Sequence, residues 1–171
     1  MTAKAFRKIY AESGMSVEEV LGHANEKLCE GNDANMFVTA WVGFLNTKTG
    51  LITYANAGHN PPLIKHSDGT FAYLNSRPGF VLAGMEGIQY RKSEIQLMPG
   101  DSIYLYTDGV TEATDVKNEL YGEERLLTVL NANADAAPQS ICETVKADVD
   151  AFVGEAPQFD DITMLCLTYH A

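Results

Sequence analysis

Acidic residues at the ends of apolar runs are the residues of this 171-residue chain best suited to carry chemistry. Asp108 and Gly109 follow the run Ser102–Tyr106, whose aromatic and branched residues predict a buried strand. A carboxylate at the end of a rigid strand is well placed to hold a hard cation, since such cations prefer anionic oxygen ligands. Thr107 or Thr111 is expected to cap the short helical stretch that follows. The alternative interpretation is that Asp108 is only a turn or capping residue.

A second acidic pair, Asp160-Asp161, precedes the apolar run Met164–Leu167, which also predicts a buried strand. If this strand is antiparallel to the one before Asp108, then Asp108 and Asp160 lie at the same end of one sheet. Clustered carboxylates repel each other unless a cation or a proton neutralises them. The pair therefore indicates either part of a cation site or a solvated loop.

His59 lies in the segment Gly58-His59-Asn60-Pro61-Pro62, which interrupts a predicted strand. Because the pKa of histidine is near neutral, His59 could donate a proton to a leaving group or contact a phosphate of the substrate. The alternative is a structural role, in which the ring bonds to a backbone carbonyl and fixes the turn.

The charge of the chain limits its partners. Twelve Lys and Arg residues against 23 Asp and Glu residues give a net charge of −11, which argues against binding to nucleic acid or to an anionic membrane. The three cysteines are widely spaced and form no Cys-x-x-Cys pair. We therefore expect each cysteine to serve as a small buried apolar residue, in a protein of the reducing cytoplasm. No apolar run reaches the length of a membrane span, and no signal peptide is visible.

The order of predicted elements favours an α+β layered fold in one domain, residues 1–171, because helices and antiparallel strands are segregated along the chain. Helices are predicted at 2–13, from Ser16 to about Glu30, from Tyr121 to Leu130 and at Pro138–Val153. The segment Met36–Leu45 is too apolar to have a solvent-exposed face, so it predicts a long strand that lies between two covering layers. A hairpin turn is predicted to join it to a second strand, Leu51–Ala57. Shorter strands are predicted at Leu63–His66, Phe71–Leu74, Val81–Leu82 and Tyr90–Leu97.

Four motifs occur in the order found in metal-dependent protein phosphatases of the PPM superfamily, and the chain resembles that family over nearly its whole length. They are Asn56–Pro62, Pro99–Asp101, Tyr106–Ala113 and Asp160–Thr163. The resemblance is closest to the branch named for stage II sporulation protein E, which includes regulators of the RsbU type. It implies an α-β-β-α sandwich with mainly antiparallel sheets. It also implies Mn²⁺ or Mg²⁺ as cofactor, with Asp108 and Asp160 as catalytic metal ligands, and Gly109 and Asp161 as further members of the metal site.

The activity implied by this resemblance is hydrolysis of phosphoserine or phosphothreonine on a regulatory protein, such as an anti-sigma-factor antagonist, in bacterial signalling. In that family, paired divalent ions lower the pKa of a bridging water, and the resulting hydroxide attacks phosphorus in line. The implied partners are this phosphorylated protein and an upstream sensor or receiver domain.

The chain departs from the family pattern in one respect. The family carries an Asp-Gly element on an early strand, and its aspartate bridges the two metal ions, whereas this chain begins at about the first long helix. We therefore expect the C-terminal three-quarters of the family domain, with an incomplete metal site. The alternative is a non-catalytic module that binds a regulatory protein. Sheet edges left uncovered by a truncation also predict a homodimer.

Overall fold

The computed structural model describes residues 14–66, 69–158 and 160–170. The helix predicted at 2–13 lies outside these residues. In chain order, the elements are α1 (Val17–Cys29), β1 (Ala40–Leu45), β2 (Leu51–Ala57), β3 (Leu63–Lys65), β4 (Phe71–Tyr73), β5 (Ser93–Gln96), β6 (Ser102–Tyr106), α2 (Asp108–Thr111), α3 (Gly122–Ala132), α4 (Pro138–Val153) and β7 (Met164–Thr168).

The elements divide between two compact units. One unit comprises Met1–His59 with Arg77–Gln96, and the other comprises Asn60–Ser76 with Leu97–Ala171. Each unit has its own antiparallel sheet and its own helical cover, so the predicted α+β class with antiparallel sheets is confirmed.

The first unit packs α1 against a three-stranded sheet of order β1-β2-β5. The apolar face of α1, with Val17, Leu21 and Ala24, shares a core with Ala55 and Ala57 of β2. The predicted start of this helix is confirmed, because the backbone N–H of Ser16 donates to the Glu19 carboxylate over 2.8 Å.

The second unit has a four-stranded sheet of order β4-β3-β6-β7, covered by α3 and α4. Its core combines Tyr104 of β6 with Leu126 and Leu130 of α3 and Val145 of α4, all fully buried. Strand β6 is paired on both sides, with β3 and with β7, so its position is firmly set. The acidic segment after β6 therefore starts from one of the two central strands of this sheet.

The long strand predicted at Met36–Leu45 is wrong in length and in burial. The regular strand begins at Ala40, and Val38 makes only an isolated bridge with Leu82. Met36 and Phe37 are 67% and 64% exposed, and Phe44 of β1 is 43% exposed. Among the described residues β1 forms a regular ladder with β2, and none of its residues is fully buried, so its apolar residues are not covered on both faces.

Two shorter strand predictions also change. Val81–Leu82 forms no strand beyond the bridge from Leu82, and the strand predicted at Tyr90–Leu97 is reduced to β5. The three cysteines are free and partly buried, and burial raises the pKa of Cys166 to about 11, so its thiol is neutral at pH 7. No helix within the described residues is long and apolar enough to cross a membrane.

Candidate functional site

The antiparallel pairing of β6 with β7 brings the two acidic segments to the same end of the second unit's sheet. Its last regular pair is Tyr106 with Met164, and Asp108 follows Tyr106 while Asp160 and Asp161 precede Met164. The predicted juxtaposition of Asp108 with Asp160 at one sheet end is therefore confirmed.

Gly109 lies directly against the second acidic segment. A Cβ atom at this position would come within 2.5 Å of the Asp161 carbonyl oxygen and 3.4 Å of the Asp160 carbonyl carbon. Contacts this short leave no room for a side chain, so the backbone after Asp108 and the backbone of the Asp160-Asp161 pair touch each other.

Thr107 joins the two segments by hydrogen bonds. Its hydroxyl donates to the Asp161 carbonyl oxygen over 3.1 Å and accepts the Thr163 N–H over 3.0 Å. The predicted capping role is wrong for this hydroxyl: Thr107 occupies the N-cap position of α2, but its side chain makes no hydrogen bond to the helix. The hydroxyl of Thr111 instead donates to the Asp108 carbonyl over 3.4 Å.

The main chain orients two of the acidic side chains. Asp108 Oδ1 accepts the Gly109 N–H over 3.0 Å, and Asp160 Oδ1 accepts the Asp161 N–H over 2.6 Å. Asp108, Asp160 and Asp161 are all exposed, so their carboxylates face solvent rather than the core. Because these carboxylates are already exposed and oriented, a cation from solvent can bind them without a rearrangement that first exposes them.

The chemistry of these donors fits a hard divalent cation in part. Carboxylate and carbonyl oxygens are the ligands that Mg²⁺ and Mn²⁺ prefer. However, no three His, Cys, Asp or Glu side chains within the described residues are gathered closely enough to hold a metal ion. The chemistry of these oxygens suits such a cation but their number within the described residues does not complete a site, so the assignment of Asp108, Gly109, Asp160 and Asp161 as its members stays a prediction.

His59 belongs to the first unit and is held by its own contacts there. Asn56 accepts the His59 N–H at Oδ1 over 2.8 Å and donates from Nδ2 to the His59 carbonyl over 3.0 Å. The ring Nδ1 lies 3.2 Å from the Thr39 hydroxyl. The side chain of Asn56 therefore fixes this turn, and a contact of His59 with substrate stays a prediction.

The role of Thr107 and Thr163 at this site was missed by the sequence reasoning. A hydroxyl residue after a strand is ordinarily interpreted as a helix cap. The signal that points elsewhere is the β6–β7 register, which places Thr163 opposite Thr107, but that register is not visible in the sequence.

Family comparison covers almost the whole chain. The model of the stage II sporulation protein E (SpoIIE) family matches residues 1–170. The chain belongs to this family. Relatives of this SpoIIE-family chain include Protein IcfG of Synechocystis sp., 33% identical over 138 residues, which are 81% of the chain and 22% of IcfG. Phosphoserine phosphatase RsbU of Bacillus subtilis is 35% identical over 102 residues, which are 59% of the chain and 30% of RsbU. The chain thus spans less than a third of the length of these relatives.

Solved structures share the fold of the chain. The SiaA-PP2C domain of Pseudomonas aeruginosa superimposes with a TM-score of 0.82 at 21% identity, over 97% of this chain and 66% of that one. The catalytic domain of the serine/threonine protein phosphatase PstP, solved with two manganese ions, gives a TM-score of 0.66 at 12% identity, over 98% of this chain and 79% of that one. The mixed α/β fold with antiparallel sheets is therefore that of the PP2C (PPM) phosphatases.

Proposed function

We propose that this chain is the phosphatase part of a metal-dependent protein that hydrolyses phosphoserine or phosphothreonine on a regulatory protein. The observation that carries the proposal is the β6–β7 pairing, which holds Asp108 beside the Asp160-Asp161 segment at one end of a sheet. Membership of the SpoIIE family and the PP2C-type fold support it.

The residues of the chain have defined tasks in this proposal. Asp108 and Asp160 supply anionic oxygens to Mn²⁺ or Mg²⁺, and the N–H groups of Gly109 and Asp161 orient these carboxylates. When bound, such cations activate water as a nucleophile and neutralise charge on the phosphoryl oxygens. The absence of a side chain at Gly109 allows the two proposed ligand-bearing segments to lie this close together.

The relatives support the proposed substrate class. RsbU is named a phosphoserine phosphatase, and its similarity to this chain supports phosphoserine as the group that is hydrolysed. The carrier of this phosphoserine is, in our proposal, a regulatory protein such as an anti-sigma-factor antagonist. An upstream sensor or receiver domain in the whole protein would control access to this site. The net charge of −11 argues against nucleic acid or an anionic membrane as partner of this chain.

Substitution of the acidic ligands tests the proposal. In the whole protein, Asp108→Asn or Asp160→Asn should lower Mn²⁺-dependent hydrolysis of p-nitrophenyl phosphate by more than about a hundredfold, because each removes a ligand charge with little change of shape. Initial rates measured over a Mn²⁺ titration report this loss.

Asp150→Asn is the matched control. Asp150 is exposed on α4 and pairs with Lys146 over 2.6 Å, so the substitution changes the net charge equally but outside the candidate site. We expect the hydrolysis rate of this variant to equal that of the wild type. Near-normal turnover of both the Asp108 and the Asp160 variant would move the catalytic assignment elsewhere.

A non-catalytic module that binds a regulatory protein is the second candidate. It is favoured by the absence, within the described residues, of a cluster of three potential metal ligands. A module of this kind would bind the phosphorylated regulatory protein with the same affinity with and without Mn²⁺ and would release no phosphate.

A further inference from the structure

The junction between β6 and α2 requires one residue to serve a strand and a helix at once. In a regular antiparallel ladder, Thr107 and Thr163 would form a pair that exchanges two backbone hydrogen bonds. One of these is present, from the Thr107 N–H to the Thr163 carbonyl over 3.0 Å. The Thr107 carbonyl instead accepts the Val110 N–H over 3.0 Å, which begins the first turn of α2. Thr163 thereby loses its ladder acceptor.

The Thr107 hydroxyl replaces the missing acceptor. The hydroxyl oxygen accepts a hydrogen bond from the Thr163 N–H over 3.0 Å, and the hydroxyl donates a hydrogen bond to the Asp161 carbonyl over 3.1 Å. A hydroxyl provides one proton and acceptor lone pairs, so both bonds use its normal capacity. The segment that carries Asp160 and Asp161 is thus tied to the residue immediately before Asp108.

We propose that Thr107 is the positioning residue that sets the distance between the Asp108 carboxylate and the Asp160-Asp161 segment. The inference rests on the proposed function, because it gives this spacing a role in binding a divalent cation. The two hydrogen bonds of the Thr107 hydroxyl hold the Asp160-Asp161 segment close to Asp108. Contact with Gly109, which has no side chain, sets the closest approach of this segment. Partners that orient metal ligands change metal affinity by about 10–100-fold when removed.

The substitutions Thr107→Val and Thr107→Ser separate positioning from packing. Valine has nearly the same shape as threonine but lacks the hydroxyl, so Thr107→Val breaks both bonds to the second segment, whereas serine keeps them. We expect Thr107→Val to raise the Mn²⁺ dissociation constant of the whole protein by about 10–100-fold and Thr107→Ser to leave it close to that of the wild type. Calorimetric titration with Mn²⁺, at a temperature where the protein is folded, measures this dissociation constant without relying on turnover.

Hydrogen exchange at the Thr163 amide gives a second measurement, independent of metal. Exchange in the metal-free protein should be faster in Thr107→Val and unchanged in Thr107→Ser, because only valine removes the acceptor of this amide. If Thr107→Val does not fold, Thr107→Ala removes the same two bonds with a smaller side chain at a partly exposed position.

Thr168→Val is the matched control for loss of a threonine hydroxyl. Thr168 lies at the opposite end of the β6–β7 ladder, where its hydroxyl is 2.8 Å from that of Ser102. This variant loses a side-chain hydrogen bond between the same two strands, but it leaves the acidic end intact. We expect its Mn²⁺ affinity to match the wild type.

The outcomes distinguish the inference from the proposed function. Wild-type Mn²⁺ affinity in Thr107→Val, in a protein whose Asp108→Asn variant has lost Mn²⁺ binding, overturns the positioning role and leaves the metal site in place. Wild-type affinity in Asp108→Asn rejects the metal site itself, and the role of Thr107 towards it falls as well. Weakened binding in Thr107→Val with recovery in Thr107→Ser supports both.

Discussion

Gly109 occupies the point at which the first turn of α2 touches the segment of Asp160 and Asp161. Because an added Cβ would come within 2.5 Å of the Asp161 carbonyl oxygen, Gly109→Ala must push the two segments apart. We expect a loss of about 1–3 kcal/mol in the free energy of unfolding, as is usual for overpacking, together with weaker Mn²⁺ binding. Denaturant unfolding and Mn²⁺ titration of the same preparation measure the two effects.

Gly22→Ala is the appropriate comparison for this substitution. Gly22 lies within α1, and no atom is within 4 Å of the position that its Cβ would take. Alanine should therefore stabilise the helix by up to about 1 kcal/mol and leave Mn²⁺ binding unchanged. If Gly109→Ala also left Mn²⁺ binding unchanged and did not lower the free energy of unfolding, the close approach at Gly109 would matter neither for stability nor for cation binding.

At the scale of elements, the sequence predicted the acidic end of the sheet because its signals are local. The apolar run Ser102–Tyr106 and the run that begins at Met164 each show a strand by composition, and both strands are confirmed. Their antiparallel order then places Asp108 near Asp160. The bonds of Thr107 were not predictable, because the acceptor that its hydroxyl finds depends on a strand far along the chain.

The long strand expected at Met36–Leu45 failed for a related reason. Composition reports how apolar a segment is, but not which neighbours are available to cover it. Only the part from Ala40 onwards finds a regular partner, β2, where Trp41 stacks on Tyr54 with ring centroids 5.2 Å apart. Met36 and Phe37 belong to the apolar run but have no ladder partner among the residues that the structure describes, so they remain outside the strand.

The joint between α3 and α4 leads to a prediction about pH. Arg125 donates two hydrogen bonds, of 2.8 and 3.1 Å, to Asp148, and its guanidinium lies over the rings of Tyr121 and Phe152. The hydrogen bonds from Arg125 hold the pKa of Asp148 below its usual range. A lowered folded-state pKa stabilises the fold above the ordinary carboxyl pKa, and this stability is lost as the pH falls through the lower value.

Asp148→Asn should therefore make the stability of the protein less sensitive to acid. At pH 7 we expect it to cost about 1 kcal/mol, since the pair is partly exposed and screened. As the pH falls below the ordinary carboxyl pKa of 3.8, its melting temperature should fall less than that of the wild type. An equal fall in both proteins would show that this ion pair contributes nothing to acid sensitivity.

At the scale of the whole molecule, the exposed apolar residues of the first unit bear on self-association. Phe37 and Phe44 are 64% and 43% exposed, and β1 has no charged residue to guard its edge. Burying several hundred Å² of apolar surface at ~25 cal/mol per Å² would supply several kcal/mol. The net charge of −11 opposes association, but salt screens it over about 8 Å. The homodimer stays a prediction, and salt should strengthen it.

Light scattering coupled to size exclusion at micromolar concentration measures the mass of the 171-residue chain. We expect the wild-type chain to be a dimer. The double substitution Phe37→Ser with Phe44→Ser should dissociate this dimer. Val116→Ser is the control, because Val116 is an apolar residue that is more exposed than either phenylalanine, at 70%, but belongs to the second unit. A monomer of 18.7 kDa at every salt concentration would reject the prediction.

The position of β7 in the chain has a consequence for the order of folding. Strands β1 and β2 are joined by a short turn, so they can meet early and at little entropic cost, whereas β6 must wait for β7, from which three helices separate it. The contact between Gly109 and Asp161 cannot form before that late pairing. We therefore expect the acidic end to be among the last parts of the chain to form, so that a partly folded chain would lack the proposed cation site.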